Sequence, residues 1–295
     1  MYKKTIKRSG FKLNQWKKLS LEEKELFLNP KKNVIEHPKL QAIATSSAKK
    51  FRDDHFNKYL DVSYGNRPNQ KLDIFLPKNI GNNPVQLYFH GGYWVARDKF
   101  DHSHIAEPAI INNIIHISVN YDLCPNVKLN VIVEETYECV EWVIKNIKDY
   151  GGNPFNINLV GHSAGAHLVA MALTKNYSLN SFVNSAVLIS GIYQPQITKY
   201  ISINNIINID DNTIKLTDVY RRFIVQNTNM LIVVGDEEPT PWKNLSKDFG
   251  EWLNTNLIPF EFYNAIRLNH FTIVKALSEY KSELSKKVIK MSAKA

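Results

Sequence analysis

The 295-residue sequence predicts an α/β fold, with a mostly parallel central sheet flanked by helices. Three observations carry that expectation. From residue 72 onward, short apolar runs of strand length alternate with segments of helical period, the pattern of βα units. The motifs richest in Gly, His and Ser sit directly after those apolar runs, where parallel sheets gather their chemistry. The composition is ordinary for a globular chain, 44% hydrophobic and 22% charged. No linker or internal repeat divides the chain, so one domain over residues 1–295 is expected. Residues 1–58 read as an N-terminal helical arm, and residues 194–228 as a small cap insertion.

The elements follow in order. Ser20-Leu-Glu-Glu23 is a capping box that opens a helix over Leu21–Leu28, and Pro30 ends that region. Leu40 to Lys58 has the pattern of a second helix. Leu60 to Tyr64, the turn Gly65–Asn69 and Leu72 to Leu76 read as strand, turn, strand. Further strands are expected at Val85–Phe89, Ile114–Val119, Ile157–Val160, Ala186–Ser190, Met230–Val234 and Pro259–Tyr263. Helices are expected at Ala106–Asn113, Val131–Lys148, Ala164–Thr174 and Pro241–Leu253, with one closing helix over Phe271–Lys290.

The formal net charge is +9, much of it near the two ends. Lys3, Lys4, Lys7, Arg8, Lys12, Lys17 and Lys18 come with no acid between them, and Lys281, Lys286, Lys287, Lys290 and Lys294 lie near the other end. No nucleic-acid motif accompanies this scattered charge, so solvated termini are the preferred reading and no nucleic-acid partner is expected. No apolar region follows the first basic residues and no stretch is long enough to cross a bilayer, so a cytoplasmic protein without a membrane partner is expected. Cys124 and Cys139 are the two cysteines, and their spacing suggests neither a disulfide scaffold nor a zinc site. No phosphate- or dinucleotide-binding loop is present, so no cofactor is expected. A homodimer is allowed, though nothing in the sequence requires one.

The sharpest signal is Gly161-His-Ser-Ala-Gly165, between an expected strand and an expected helix. A strand that turns abruptly into a helix pushes the turn residue outward in a strained conformation. Positions two residues away must then be small, because the two backbones nearly touch. Ser163 is therefore a candidate nucleophile, facing the amino-terminus of its own helix. His90-Gly-Gly-Tyr-Trp94 follows the strand before it, and Gly91 and Gly92 leave the backbone there free to face a ligand. An acyl-transfer serine needs N–H donors for its tetrahedral oxyanion. Gly92, Tyr93 and Ala164 are the candidates, with Gly91 part of the same loop.

A serine nucleophile needs a base oriented by a carboxylate, in the chain order Ser, acid, His. Of nine histidines, His167 and His270 lie downstream of Ser163. His167 is one turn along the same helix and cannot aim back at the serine, so packing beneath it is expected. His270 follows the last strand and is the candidate base. The acid is expected in Gly235-Asp-Glu-Glu238, where residue type favours Asp236 but the spacing decides nothing. Asp98, Asp101, His102 and His104 resemble metal ligands superficially. No further ligand set stands at a sensible spacing, so they read as a polar helix start and no metal is expected.

Taken together, these pieces resemble the α/β-hydrolase superfamily. Within it they resemble the kynurenine formamidase (arylformamidase) group, whose neighbours are the hormone-sensitive-lipase-like esterases. The matching segments spread over most of residues 58–275. They are Asp61-Val-Ser-Tyr-Gly65 with Leu72-Asp-Ile-Phe-Leu-Pro77, His90-Gly-Gly-Tyr-Trp94, Asn120-Tyr-Asp-Leu-Cys-Pro125, Gly161-His-Ser-Ala-Gly-Ala-His167, Ser190-Gly-Ile-Tyr193 and Asn269-His-Phe271. The resemblance implies an α/β-hydrolase fold. It also moves the acid to the third residue after the strand-ending glycine, Glu238, with Asp236 as runner-up. Where related chains often read Ser-Pro-Glu-Phe after the acid, this one has Pro239-Thr-Pro-Trp242.

The resemblance implies a serine hydrolase of small acyl amides or esters, one that releases formate from N-formylkynurenine. Trp94, Tyr193 and Phe271 are the expected contacts for an aromatic small-molecule substrate. A second reading keeps the chemistry but takes short-chain esters, or acyl groups on an acidic carrier, as a carboxylesterase or thioesterase would. A third is a non-catalytic binding module, which would sit oddly with an intact serine and histidine.

Overall fold

The computed structural model describes residue 16 and residues 18–174, 181–222 and 228–293. The basic run of residues 1–18 lies outside the described residues except for Trp16 and Lys18, as does Lys294. Eight strands form one sheet: β1 Lys58–Ser63, β2 Lys71–Phe75, β3 Asn83–Phe89, β4 Ile115–Val119, β5 Gly152–His162, β6 Val183–Ile189, β7 Asn229–Gly235 and β8 Glu261–Ala265. Their order is β1-β2-β4-β3-β5-β6-β7-β8. β2 runs antiparallel to β1 and β4, and all later neighbours are parallel. This is the mostly parallel sheet of the α/β-hydrolase fold.

The central strands are buried at nearly every position because helices cover both faces of the sheet. Side chains alternate between those faces. Leu87, Phe89 and Leu159 join the core beneath helices Leu129–Asn146, Ala164–Ala172 and Thr240–Thr255. Tyr88, Val160, Val187 and Val233 join the opposite core, under helices Thr272–Ser278 and Glu283–Ala293. The register brings the carboxyl ends together: Phe89 pairs with Val119 and Gly161, His162 with Ile189, Ile189 with Val233, and Gly235 with Ala265. The segments that follow these ends therefore meet on one edge of the sheet.

Some expected boundaries move. The capping box forms as expected: Glu23 N–H donates to Ser20 Oγ at 3.1 Å, and Ser20 N–H to Glu23 Oε2 at 2.7 Å. Pro30 does not end helical structure; it opens the short helix Pro30–Asn33. The next helix is His37–Asp54, with Pro38 in its first turn, and the chain is already in β1 by Lys58. The expected single closing helix is two, Thr272–Ser278 and Glu283–Ala293. Ser282 breaks it: its hydroxyl accepts Ser285 N–H at 3.0 Å and donates back to Ala276 O, which caps one helix and ends the other. Within residues 194–228 the described part holds the short helices Asn204–Ile207 and Asp211–Thr217; residues 223–227 lie outside the described residues. No helix among the described residues is long and apolar enough to cross a membrane.

Candidate active site

Ser163 sits between β5 and helix Ala164–Ala172 with φ 57° and ψ −117°, a left-handed conformation that costs a serine about 1–3 kcal/mol. Backbone hydrogen bonds hold it there. Ser163 N–H donates to Ile189 O at 2.8 Å, and Ser163 O accepts Ala166 N–H at 3.1 Å. Gly165 makes the turn possible, since a Cβ there would collide with the carbonyl oxygen of Phe89 on the neighbouring strand. Ala164 is the first residue of the helix, so its N–H has no preceding helical carbonyl to bond.

The loop after β3 runs against the same spot. A Cβ on Gly91 would lie 3.0 Å from Ser163 Cβ, so this backbone abuts the serine side chain. Gly92, Tyr93 and Trp94 have φ of 116°, 53° and 58°, and Val95 N–H closes the turn on Gly92 O at 3.1 Å. His90 anchors the loop from below. Tyr121 stacks on its ring at 4.4 Å and donates its hydroxyl to His90 O at 2.6 Å. Burial pushes the His90 imidazole below its ordinary range, so the ring is neutral.

Glu238 and His270 come together from two loops. Glu238 Oε1 lies 2.6 Å from His270 Nδ1. Its Oε2 accepts Ser190 Oγ–H at 2.7 Å and Gly235 N–H at 2.8 Å. The carboxylate is thus buried but fully hydrogen-bonded, which offsets its desolvation. Asp236 does not reach His270. Its Oδ1 accepts Arg267 N–H at 2.5 Å, which ties the acid loop to the histidine loop. Asn269 shapes the histidine loop by accepting Phe271 N–H at 2.9 Å and Thr272 N–H at 3.0 Å. No hydrogen bond joins Ser163 Oγ to His270, though both line one cavity. Such contacts often tighten only when substrate is bound.

That cavity is also lined by Gly91, Gly92, Tyr93, His162 and Phe271. Trp94 and Tyr193, expected to touch substrate, do not line it. Trp94 is fully buried, edge-on to His167 at 5.1 Å. Tyr193 is buried and stacks on Phe249 at 3.8 Å. Both rings spend their surface on the core and leave none for a ligand. Phe271 does face the cavity and stacks on His37 of the arm at 5.5 Å. His167 packs below the serine: its Nε2–H donates to Thr217 O at 2.8 Å, and burial lowers its pKa to about 4.

Several residues escaped the sequence reading. Ser190 carries a signal in the sequence, since it lies directly after β6, the position where parallel sheets gather their chemistry. Trp242 packs edge-on to His270 at 4.8 Å, within the segment that departs from related chains. His162 lies 4.6 Å from the His270 ring, and burial, with His270 nearby, drives its pKa well below the ordinary range. The arm is the largest surprise. Asn29, Pro30, Leu40, Gln41 and Thr45 all line the cavity, and Tyr93 O–H donates to Leu28 O. From the segment after β6, Ile203 contributes to the wall. The four residues that resembled metal ligands are spread among other partners. Asp98 caps a turn through Phe100 N–H at 2.9 Å, and Asp101 accepts Thr45 Oγ–H at 2.8 Å. His102 stacks on His90 at 5.6 Å, and burial lowers the pKa of His104 to about 4. Among the described residues no group of three or more His, Cys, Asp or Glu could hold a metal.

A strained serine, a loop of backbone N–H groups and a carboxylate-paired imidazole thus share one cavity, and comparison with known proteins adds the family. The BD-FAE family model matches residues 72–252, more than half of the sequence. The chain belongs to the BD-FAE family. Kynurenine formamidase of Danio rerio is 26% identical over 300 residues, covering 96% of this chain and all of that protein. Kynurenine formamidase of Salmo salar is 27% identical over 249 residues, covering 80% of this chain and 82% of that protein. Among solved structures, a Silicibacter protein named as a thioesterase superposes with a TM-score of 0.80 at 24% identity, over 90% of this chain and 99% of that one. A Pyrobaculum calidifontis esterase superposes at 0.66 with 17% identity, over 87% and 90%. The structural likenesses show the α/β-hydrolase fold, and the family and full-length relatives support a hydrolase of that type.

Proposed function

We propose that this member of the BD-FAE family is a serine hydrolase that removes a formyl or similarly small acyl group from an aryl amine, as an arylformamidase does. The observation that carries the reading is the short Glu238–His270 contact opening onto the same cavity as Ser163. His270, steadied by Glu238, takes the proton from Ser163 Oγ as the hydroxyl attacks the formyl carbon. The oxyanion that forms is held by the N–H groups of Gly92, Tyr93 and Ala164. His270 then returns the proton to the departing aryl amine, leaving a formyl ester on Ser163. Water, deprotonated by His270, attacks that ester and releases formate. Loss of one oxyanion donor in such a site typically costs about 10²–10³ in turnover. An aryl amine leaves more readily than an alkyl amine, and Phe271 offers a face on which its ring can stack.

The full-length similarity to kynurenine formamidases supports N-formylkynurenine as the first substrate to test. Purified protein is assayed with N-formylkynurenine beside p-nitrophenyl esters of increasing acyl length. The reading expects kcat/KM to be highest for the formyl amide and to fall as the acyl chain grows. Activity that rises with chain length, with no formyl-amide cleavage, would replace it with a carboxylesterase or thioesterase.

A further inference from the structure

One imidazole on the cavity wall has no part in the reaction just described. His162 ends β5, directly before Ser163, and lines the cavity that holds Ser163 and His270. Its Nε2 is buried and has no hydrogen-bond partner among the described residues. An orphaned buried nitrogen costs free energy that an apolar side chain of similar size does not. A strand end that needed only packing would be better served by leucine. What the ring touches gives it another use.

The strand places the ring. Side chains on β5 alternate between the faces of the sheet, so His162 shares the face of Val160. Its backbone is pinned from the other neighbour: His162 is in register with Ile189, whose carbonyl accepts Ser163 N–H at 2.8 Å. The ring then meets two parts of the site. Its centroid lies 4.6 Å from that of His270, with the planes at 45°. A Cβ on Gly91 would lie 3.1 Å from His162 Nδ1, so the ring edge abuts the backbone of the loop assigned to the oxyanion. Glu238 holds His270 through Nδ1, and a hydrogen bond at one nitrogen leaves a ring able to tilt about that bond. Trp242, at 4.8 Å, and His162 limit the tilt. Burial, with His270 nearby, keeps His162 neutral, so its ring does not repel the charge His270 acquires on taking the serine proton.

We propose that His162 is a positioning residue, a planar spacer that holds the His270 imidazole and the Gly91–Gly92 loop at a set distance across Ser163. This rests on the hydrolase reading above and adds a residue that acts through His270 and the loop. The role belongs to the ring's shape and not to its nitrogens, which separates it from an acid, a base or a substrate contact.

The test compares His162→Ala, which removes the ring, with His162→Phe, which keeps a ring and removes the nitrogens. Steady-state rates are measured on a formyl amide and on p-nitrophenyl esters. The downfield proton NMR signal of the His270–Glu238 hydrogen bond is recorded beside them, since it needs no substrate. The spacer predicts that His162→Ala lowers kcat about 100-fold while KM moves less than about threefold. His162→Phe should recover at least about tenfold of that loss. The downfield signal should be sharp in wild type and in His162→Phe, and broadened or shifted in His162→Ala. A His162→Ala protein with kcat within about threefold of wild type would overturn the spacer. So would a His162→Phe protein as slow as His162→Ala, or a downfield signal identical in all three proteins. If His162→Ala does not fold, His162→Val takes its place. A wild-type protein that cleaves neither amides nor esters, with the downfield signal nonetheless lost in His162→Ala, would instead sink the hydrolase reading and leave His162 as the residue that positions His270.

Discussion

The floor of the cavity and the loops packed beneath it, residues 90–94, 161–165 and 235–238, are held in shape chiefly by contacts to backbone. Its outer wall, residues 29–45, reaches the same space through side chains far away in sequence. On the floor, Ser163 N–H bonds Ile189 O, Gly235 N–H bonds Glu238, and Gly165 presses on Phe89. At the wall, Tyr93 bonds Leu28 O, Thr45 bonds Asp101, and His37 stacks on Phe271. Floor contacts restrict which residue types fit at each position. Wall contacts restrict only that two surfaces meet, so the wall can change while the chemistry stays.

The two regions should therefore fail differently when altered. The largest effect is expected at the floor: Ser163→Ala should lower turnover of any substrate by about 10⁴-fold or more in steady-state assays. Glu238→Gln should cost about 10³–10⁴ in kcat, because His270 loses its orienting partner. Asp236→Asn touches a loop contact instead and should leave kcat within about tenfold. The reverse order would show that the acid has been misassigned. Gly165→Ala should destabilise the fold by about 3 kcal/mol or more in urea titration, since the added methyl meets backbone that cannot move cheaply. Wild-type stability in that variant would break the claim that the floor is a backbone construction.

At the wall, Tyr93→Phe removes one hydrogen bond to the arm and should lower stability by about 1 kcal/mol. It should raise KM more than it lowers kcat; an equal fall in kcat would tie the arm to the chemistry. A separate effect, confined to pH dependence, lies away from both regions at Glu135. Burial, with the carboxylate of Asp122 nearby, raises its pKa from 4.5 to about 7. Folding therefore favours the protonated carboxyl. Its stabilising contribution is full below about pH 4.5 and is lost as pH rises through about 7. Glu135→Gln should flatten that part of the pH–stability profile between about pH 5 and about pH 8, read as urea midpoints.

The same contrast explains what the sequence disclosed. Gly161, Gly165, Gly91 and Gly92 are legible because a tight turn or close approach excludes other residues. The strands are legible because a doubly covered sheet favours mostly apolar runs, with few polar interruptions such as Gln86 and His116. His270 followed from its place after the last strand. Residue type left the acid open between Asp236 and Glu238; the resemblance pointed to Glu238, and the fold of the loop turns Glu238 toward His270 and Asp236 toward Arg267 N–H. Trp94 and Tyr193 misled because an aromatic ring beside a catalytic motif reads the same whether it meets a ligand or the core. The wall residues Leu40, Gln41 and Thr45 left no mark, since a helix surface does not reveal what it will cover. Arg97 left no mark either, and Asp101 reads in the sequence as part of a polar helix start, because the cavity both line is completed by residues of the arm.

The central claim is that Ser163 is made reactive by the His270–Glu238 pair. Its most direct test is intact-protein and peptide mass spectrometry after brief exposure to a fluorophosphonate. The account predicts a single adduct on Ser163, absent from Ser163→Ala and formed far more slowly in His270→Ala and Glu238→Gln. An unlabelled Ser163, or labelling at the same rate once His270 is removed, would contradict it.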